Sequence, residues 1–346
     1  MNVLLVEDSK TVAAYIRELL KHEPDLTLQQ TVTNGPDAVA AALNPETRPD
    51  VILLDLQLPG FDGLEVIRRV LREVAIPVVV LSGLLEVDNC DRTYEAFAAG
   101  AVEVLAKPVG LDEAEAFRQR LVRTLRTMED AHVVRRRRAA TRPRKPETTI
   151  PSLPAIVAIG ASTGGPAVLY QLLDELPAPY PLPIIIAQHI SPGFDQGLAQ
   201  WLSKTGHRVT LAQDKQPLRV ANVYLAQASK NVRITSRESL RSCDPGSRQI
   251  VPSCDELFES AAVHFGSRAV GILLTGMGRD GAAGMLKLRE VGAITVTQEG
   301  SSCTVNGMPE AARHLGAVMI DVPPGELAPL LQRIATDPSS AASQDA

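Results

Sequence analysis

Ala155-Ile156-Val157-Ala158-Ile159-Gly160-Ala161-Ser162-Thr163-Gly164-Gly165-Pro166 reads as a buried strand, a glycine turn and the start of a helix. Five apolar residues without alternation suit a strand covered on both faces, as in a parallel sheet. Proline is well placed in a first helical turn, and the glycines permit a tight turn that lifts a side chain above the sheet beside a helix N-terminus. On these residues alone three readings of the turn stay open. A dinucleotide fingerprint needs G-x-G-x-x-G, and Ser162 stands where the middle glycine belongs. The segment also matches G-x-S-x-G, an elbow that presents a nucleophilic serine. A purely structural glycine turn is the third.

Toward the C-terminus the same grammar continues. Pro183 to Ala187 and Ala269 to Leu274 are further buried strands, and helices are expected at about 165–176, 194–204, 281–291 and 308–314. The short β-rich runs Val209-Thr210-Leu211, Val223-Tyr224-Leu225 and Val232-Arg233-Ile234 suggest an antiparallel insert or edge. The expectation is an α/β domain, doubly wound and mostly parallel. Of six histidines only His189 directly follows a buried strand, in Ala187-Gln188-His189. The third strand leads into Thr275-Gly276-Met277-Gly278-Arg279-Asp280-Gly281, a glycine-rich turn carrying an acid. Capping of the next helix would also account for Asp280. Three strand ends thus offer Ser162, His189 and Asp280 on one rim: a nucleophile, a base and an acid that orients the base. The chain order differs from that of α/β-hydrolases, Ser…acid…His, which disfavours an ordinary lipase or esterase. Backbone N–H groups of Gly276-Met277-Gly278 and Thr163 are candidate oxyanion donors.

Toward the N-terminus, strands near 2–6, 27–33, 50–54, 77–82 and 102–106 alternate with helical patterns. Five βα units predict a five-stranded parallel (βα)5 domain. Its strand ends carry Glu7 and Asp8, Asp55, Ser82 and Lys107. Three clustered carboxylates call for a cation, and an all-oxygen donor set suits Mg²⁺. Asp55 is then a nucleophile toward a phosphoryl donor, with Lys107 pairing the phosphoryl charge and Ser82 donating a hydrogen bond. Helix capping by Asp8 and Ser9 explains single residues of this set, but not all five residues together.

Between these halves, residues 127–150 hold seven basic residues against three acidic ones, with Arg135-Arg136-Arg137-Arg138 and two prolines. Charge repulsion and proline predict a flexible basic linker. The expected division is 1–126, linker 127–150, second domain 151–335 and a Ser/Ala/Asp-rich disordered tail 336–346. A net charge of −5 and 3% aromatics exclude an extended nucleic-acid surface. A DNA-binding regulator that uses the arginine run would need a basic recognition helix, and none follows. Four scattered cysteines make neither a disulfide framework nor a zinc cage. No run approaches the roughly 20 apolar residues that span a bilayer, so a cytoplasmic protein without membrane insertion is expected.

With Asp55-Leu56-Gln57-Leu58-Pro59-Gly60-Phe61-Asp62-Gly63 in place, residues 1–126 resemble the receiver domain of response regulators. That resemblance implies phosphorylation at Asp55, a Ser82/Lys107 phosphoryl switch, and Mg²⁺ held by Glu7, Asp8, Asp55 and the Gln57 carbonyl. Val104 stands where the family usually has an aromatic residue, so a rotating aromatic relay is not expected. The whole chain, through Gly160-Ala161-Ser162-Thr163-Gly164-Gly165, Gln188-His189, Thr275 to Gly281 and Asn306-Gly307-Met308-Pro309-Glu310-Ala311, resembles the chemotaxis protein-glutamate methylesterases, which are also glutamine deamidases. This implies a Ser162-His189-Asp280 triad with Thr163 and Met277 at the site, and no cofactor for the esterase. It also implies methylated chemoreceptors as substrate and a sensor histidine kinase as phosphodonor. Gln227-Ala228-Ser229-Lys230-Asn231 and Asn306 depart from the family's usual residues, and both are candidates for the substrate groove. A receiver fused to a catalytically silent binding module is the rival reading.

Overall fold

The structure, a computed structural model, describes residues 1–83, 87–108, 114–129, 154–246 and 250–336, with no side chains described for 87–91. The expected linker and tail lie outside these residues, apart from 127–129 and 336. The chain divides into two compact units, Met1–Arg137 and Arg138–Ala346.

The first unit alternates β1 (Asn2–Val6), α1 (Lys10–Leu20), β2 (Thr27–Val32), α2 (Gly35–Leu43), β3 (Val51–Asp55), α3 (Gly63–Glu73), β4 (Val78–Ser82), α4 (Val87–Ala99), β5 (Glu103–Ala106) and α5 (Ala114–Met128). The sheet is parallel throughout, in the order β2-β1-β3-β4-β5. β3 and β4 are buried along their whole length, as continuous apolar runs require. Strand order reverses between β1 and β3, where a crevice opens at the carboxyl ends.

The second unit runs β6 (Ile156–Ala161), α6 (Gly165–Glu175), β7 (Ile184–Gln188), α7 (Asp195–Ser203), β8 (Arg208–Leu211), β9 (Gln216–Pro217), β10 (Asn222–Leu225), β11 (Asn231–Ser236) and β12 (Ser239–Cys243). It continues with α8 (Cys254–Phe265), β13 (Ala269–Leu273), α9 (Ala282–Glu290), β14 (Ile294–Gln298), α10 (Gly307–His314), β15 (Ile320–Val322) and α11 (Pro324–Thr336). Seven parallel strands order as β15-β14-β13-β6-β7-β10-β8. The chain leaves β6 in both directions, which makes the carboxyl end of β6 the switch point.

One expectation is corrected. The runs at 209–211 and 223–225 are not in an antiparallel insert but in the main parallel sheet, where β10 is interior and β8 forms the edge. Among the described residues only β9, β11 and β12 make a separate antiparallel sheet. Its Val232, Ile234 and Leu240 join Leu257, Phe258 and Phe265 of α8 and Met285 and Leu288 of α9 in one apolar cluster. Burial of each such side chain stabilises the fold by about 1.5–3 kcal/mol. That cluster fixes α8 against the sheet and so aims its N-terminus.

Candidate functional site

In the first unit the strand ends bring Glu7, Asp8 and Asp55 together, with one oxygen of each inside a 4.8 Å cluster. Lys107 Nζ donates to Asp55 Oδ2 at 2.7 Å and to Glu7 Oε2 at 2.8 Å. Burial raises the Glu7 carboxyl above its ordinary value, helped by the Asp55 charge and only partly offset by Lys107. Burial lowers the Lys107 ammonium, but the bonds to Asp55 and Glu7 outweigh it and leave it raised. The Gln57 amide donates to Asp55 Oδ1 at 3.1 Å. Ser82 Oγ meets Thr93 Oγ1 of α4 at 3.1 Å, and both residues are buried. Of the two caps that the sequence offered for α1, Asp8 and Ser9, the N-cap is Ser9. Val104 is buried in β5, which suits an apolar residue there. The donors of the carboxylate cluster are all oxygen, so the residues fit a hard divalent cation such as Mg²⁺.

In the second unit β13, β6 and β7 are neighbours, and their ends converge. The His189 N–H donates to Ala161 O at 2.9 Å, which sets the histidine beside Ser162. Ser162 lies in the turn between β6 and α6, where the Gly165 N–H donates to Ser162 O at 2.8 Å and Gly164 adopts φ +79° at the helix cap. The Ser162 amide donates to Thr275 O at 3.0 Å. Gly276 has to be glycine: a Cβ there would lie 2.6 Å from Ser162 Cβ and 2.3 Å from Met308 Sδ. Gln188 Nε2 donates to the carbonyls of Ser162 and His189 at 2.9 and 2.8 Å. That side chain ties the two strand ends together.

His189 Nε2 lies 2.9 Å from Asp280 Oδ2. An ionised carboxylate only accepts, so Nε2 carries the proton and Nδ1 is left basic. This is the reverse of the ring-nitrogen assignment in the serine-protease template. Among the described residues no hydrogen bond joins Ser162 Oγ to the ring; such bonds often tighten only when substrate is bound. The His189 side chain is 16% exposed against 6% for Asp280, so the base meets solvent while the acid does not.

Burial raises the Asp280 carboxyl, but the His189 bond and charge and the amides of Cys254 and Asp255 outweigh it and hold it at about 2. Asp280 does not cap the helix that follows it, an alternative the sequence left open. The N-cap of α9 is Gly281, with no side-chain bond. The carboxylate instead faces the N-terminus of α8, accepting from Cys254 N at 2.7 Å and Asp255 N at 3.2 Å. Residues 253–255 were not singled out in the sequence. Cys254 Sγ donates to Ala187 O at 3.5 Å and sits 3.6 Å from His189 Nε2. Burial, with Asp280 beside it, pushes this thiol well above its ordinary value. His189, Cys254 and Asp280 each offer a donor within a 4.8 Å cluster that could also hold a metal.

Of the expected oxyanion donors, Gly276 is engaged by Val305 O at 2.9 Å. Met277 is exposed on the rim, and Thr163 is buried beside Ser162. The two departures from the family's usual residues are both occupied structurally. Asn306 is held by Arg313, which also reaches Asp321 at 2.9 Å. Asn231 is buried and faces Ser253 and Glu256. No helix among the described residues is long and apolar enough to cross a membrane.

Residues 157–331 match the family model described as CheB methylesterase, and residues 3–119 match the response regulator receiver domain. A protein of Methanospirillum hungatei named protein-glutamate methylesterase/protein-glutamine glutaminase 2 is 35% identical over 347 residues, covering 96% of this chain and 98% of its own. The Myxococcus xanthus protein of that name numbered 4 is 39% identical over 322 residues, covering 89% and 90%. Among solved structures, the Thermotoga maritima CheB methylesterase catalytic domain is 29% identical with a TM-score of 0.49, covering 51% of this chain and 97% of that one.

Proposed function

This chain belongs to the receiver-coupled protein-glutamate methylesterase/protein-glutamine glutaminase family, and from that premise we propose that Ser162, His189 and Asp280 perform its hydrolysis while Asp55 accepts the phosphoryl group that regulates it. The enzyme is a hydrolase of receptor glutamyl methyl esters and glutamines in chemotactic adaptation, under receiver control. A receptor as substrate and a kinase as phosphodonor follow in general terms from the two domains. Methyl-accepting chemoreceptors and a sensor histidine kinase, meeting the enzyme in the cytoplasm, are our finer assignment.

The observation that carries the catalytic assignment is the His189–Asp280 bond at the switch point beside Ser162. His189 Nδ1 takes the Ser162 hydroxyl proton as Oγ attacks the ester carbonyl. The main-chain N–H groups of Thr163 and Met277 are the proposed donors to the developing oxyanion. The imidazolium then protonates the departing methoxide, giving methanol and an acyl-serine. Water, deprotonated by the same nitrogen, attacks that ester, and His189 returns the proton to Ser162 as the glutamate carboxylate leaves. With a glutamine substrate, ammonia leaves in place of methanol.

In the receiver, Glu7, Asp8, Asp55 and the Gln57 carbonyl would hold Mg²⁺, which when bound neutralises carboxylate charge and steadies a phosphoryl oxygen. Asp55 attacks the phosphorus as its bond to the phosphodonor breaks and the donor group departs with that electron pair; Lys107 pairs the charge of the new acyl phosphate, and Ser82 turns its hydroxyl toward it. Methanol release from methylated receptor membranes, with and without a small phosphodonor, tests the whole reading. We expect release that rises with the phosphodonor and that chelation stops from rising. Release from Ser162→Ala protein equal to that of an active wild type would remove the serine-hydrolase assignment, and no release from the wild type would favour the silent-module rival.

A further inference from the structure

The carboxylate of Asp280 accepts four hydrogen bonds, and only one comes from His189. Oδ2 accepts from His189 Nε2 and the Cys254 amide; Oδ1 accepts from the Asp255 amide and the Ser253 hydroxyl, the last at 3.1 Å. Four donors match the four lone-pair positions of a carboxylate. Three of them come from one short segment, Ser253-Cys254-Asp255, at the start of α8, where helix amides also favour negative charge.

We propose that Ser253 is a positioning residue for catalysis, its hydroxyl completing a four-donor cradle that fixes the Asp280 carboxylate in the orientation that holds His189. The inference rests on the reading of Asp280 as the acid of the catalytic group. Ser253 is itself fixed from behind. Its amide donates to Asn231 Oδ1 at 2.8 Å, and Asn231 Nδ2 donates to Glu256 Oε2 at 2.5 Å. Both Ser253 and Asn231 are 1% exposed, so water cannot take over these bonds. The route therefore runs from β11 through Asn231 and Ser253 to Asp280 and His189. It gives Asn231, in the segment that departs from the family's usual residues, a place behind the acid.

Ser253 has a second task that the test must separate. Its oxygen accepts the Glu256 amide at 3.2 Å, as the N-cap of α8. A cap needs only a lone pair, and the hydroxyl proton goes to Asp280. Glycine caps within a few tenths of a kcal/mol of serine, so Ser253→Gly removes the donor and leaves the helix start nearly intact. Threonine restores both. The titratable groups facing Asp280 are His189 at the end of β7 and Cys254 and Asp255 on α8. With one donor gone, the carboxylate is a stronger acceptor for the imidazolium, and His189 becomes harder to deprotonate.

The experiment is methanol release from methylated receptor membranes by full-length protein across pH, for wild type, Ser253→Gly, Ser253→Thr, Asp280→Asn and the Gly/Asn double variant. We expect Ser253→Gly to lower kcat about tenfold with KM nearly unchanged. The acid limb of kcat/KM should move up by roughly one pH unit, the scale of a lost charge-assisted bond. Ser253→Thr should recover both, and the double variant should lose little beyond Asp280→Asn alone. A Ser253→Gly profile superimposable on the wild type would overturn the inference even though Asp280→Asn is crippled. Wild-type turnover in Asp280→Asn would instead overturn the reading it rests on. Ser253→Ala, which also lacks the hydroxyl, carries the same expectation if the glycine variant does not fold.

Discussion

Asp55 and Asp280 occupy comparable places, each at or just past the carboxyl end of a strand in a parallel sheet, and each is buried. Their partners differ in kind. Asp55 accepts one backbone amide, that of Gln57, and shares with Glu7 one lysine, a single cation on a long side chain beside two further carboxylates. Asp280 is held by two backbone amides, a fixed hydroxyl and a histidine. A lysine on a flexible stem can follow a charge that moves, which suits a carboxylate meant to form a bond to phosphorus. Backbone amides at a helix start cannot follow it. They keep a carboxylate charged and still, which suits an acid that orients its neighbour and never reacts. On the proposed reading environment assigns the two roles, as it does wherever two carboxylates in one enzyme perform different tasks.

The largest effects should fall on the rigid site. Ser162→Ala or His189→Ala should lower methanol release by roughly 10³- to 10⁶-fold, and the double variant should be little worse because the pair acts as a unit. Asp280→Asn should lose on the order of 10³- to 10⁴-fold through the wrong tautomer. Phosphodonor labelling of all four variants should stay at the wild-type level. Lost labelling in Asp280→Asn would break the separation of roles between the two carboxylates.

The adaptable site should give a smaller change in turnover. Asp55→Asn should abolish acyl-phosphate labelling and remove the phosphodonor stimulation of methanol release. That stimulation should amount to roughly 5- to 150-fold, the usual span of coupling between two sites. Unstimulated release should remain measurable. Label retained in Asp55→Asn protein would move the phosphoacceptor to another residue.

Most of both sites could be read from strand ends, because a parallel sheet sends successive apolar runs to one rim whatever the loops do. Glu7, Asp55, Ser82 and Lys107 follow from that rule, as do Ser162 and His189. Asp280 follows too, although its partners do not. Ser253-x-x-Glu256 is a capping-box pattern that marks the start of α8, and it was available in the sequence. Which anion that helix start would face was not, since Asp280 lies 27 residues further on and meets it only through the packing of α8 against β11 and the central sheet. The β8 and β10 runs escaped for a related reason: a short apolar run does not state whether its neighbour is parallel.

The smallest effect sharpens the comparison through the sign of its pH dependence. Asp280 is held at about 2 against an ordinary value of 3.8, so its contribution to stability is complete above the ordinary value and disappears as pH falls toward 2. The span corresponds to about 2 kcal/mol. Glu7 is raised, so the folded receiver binds its proton more readily than the unfolded chain does, and acidification through that range favours the fold. Lys107, also raised, contributes stability that is present below its ordinary value and lost only at alkaline pH. The single tryptophan, Trp201, is buried in α7 and reports unfolding of the second unit alone. Urea titrations followed by its fluorescence should show wild-type stability falling more steeply than that of Asp280→Asn between about pH 4 and 2. Hydrogen exchange at β1 amides should show the opposite for Glu7→Gln, whose first unit gains less from mild acidification than the wild type. Parallel pH slopes for Asp280→Asn and wild type would mean that the α8 amides do not hold Asp280 ionised, and the contrast between the two carboxylates would lose its physical basis.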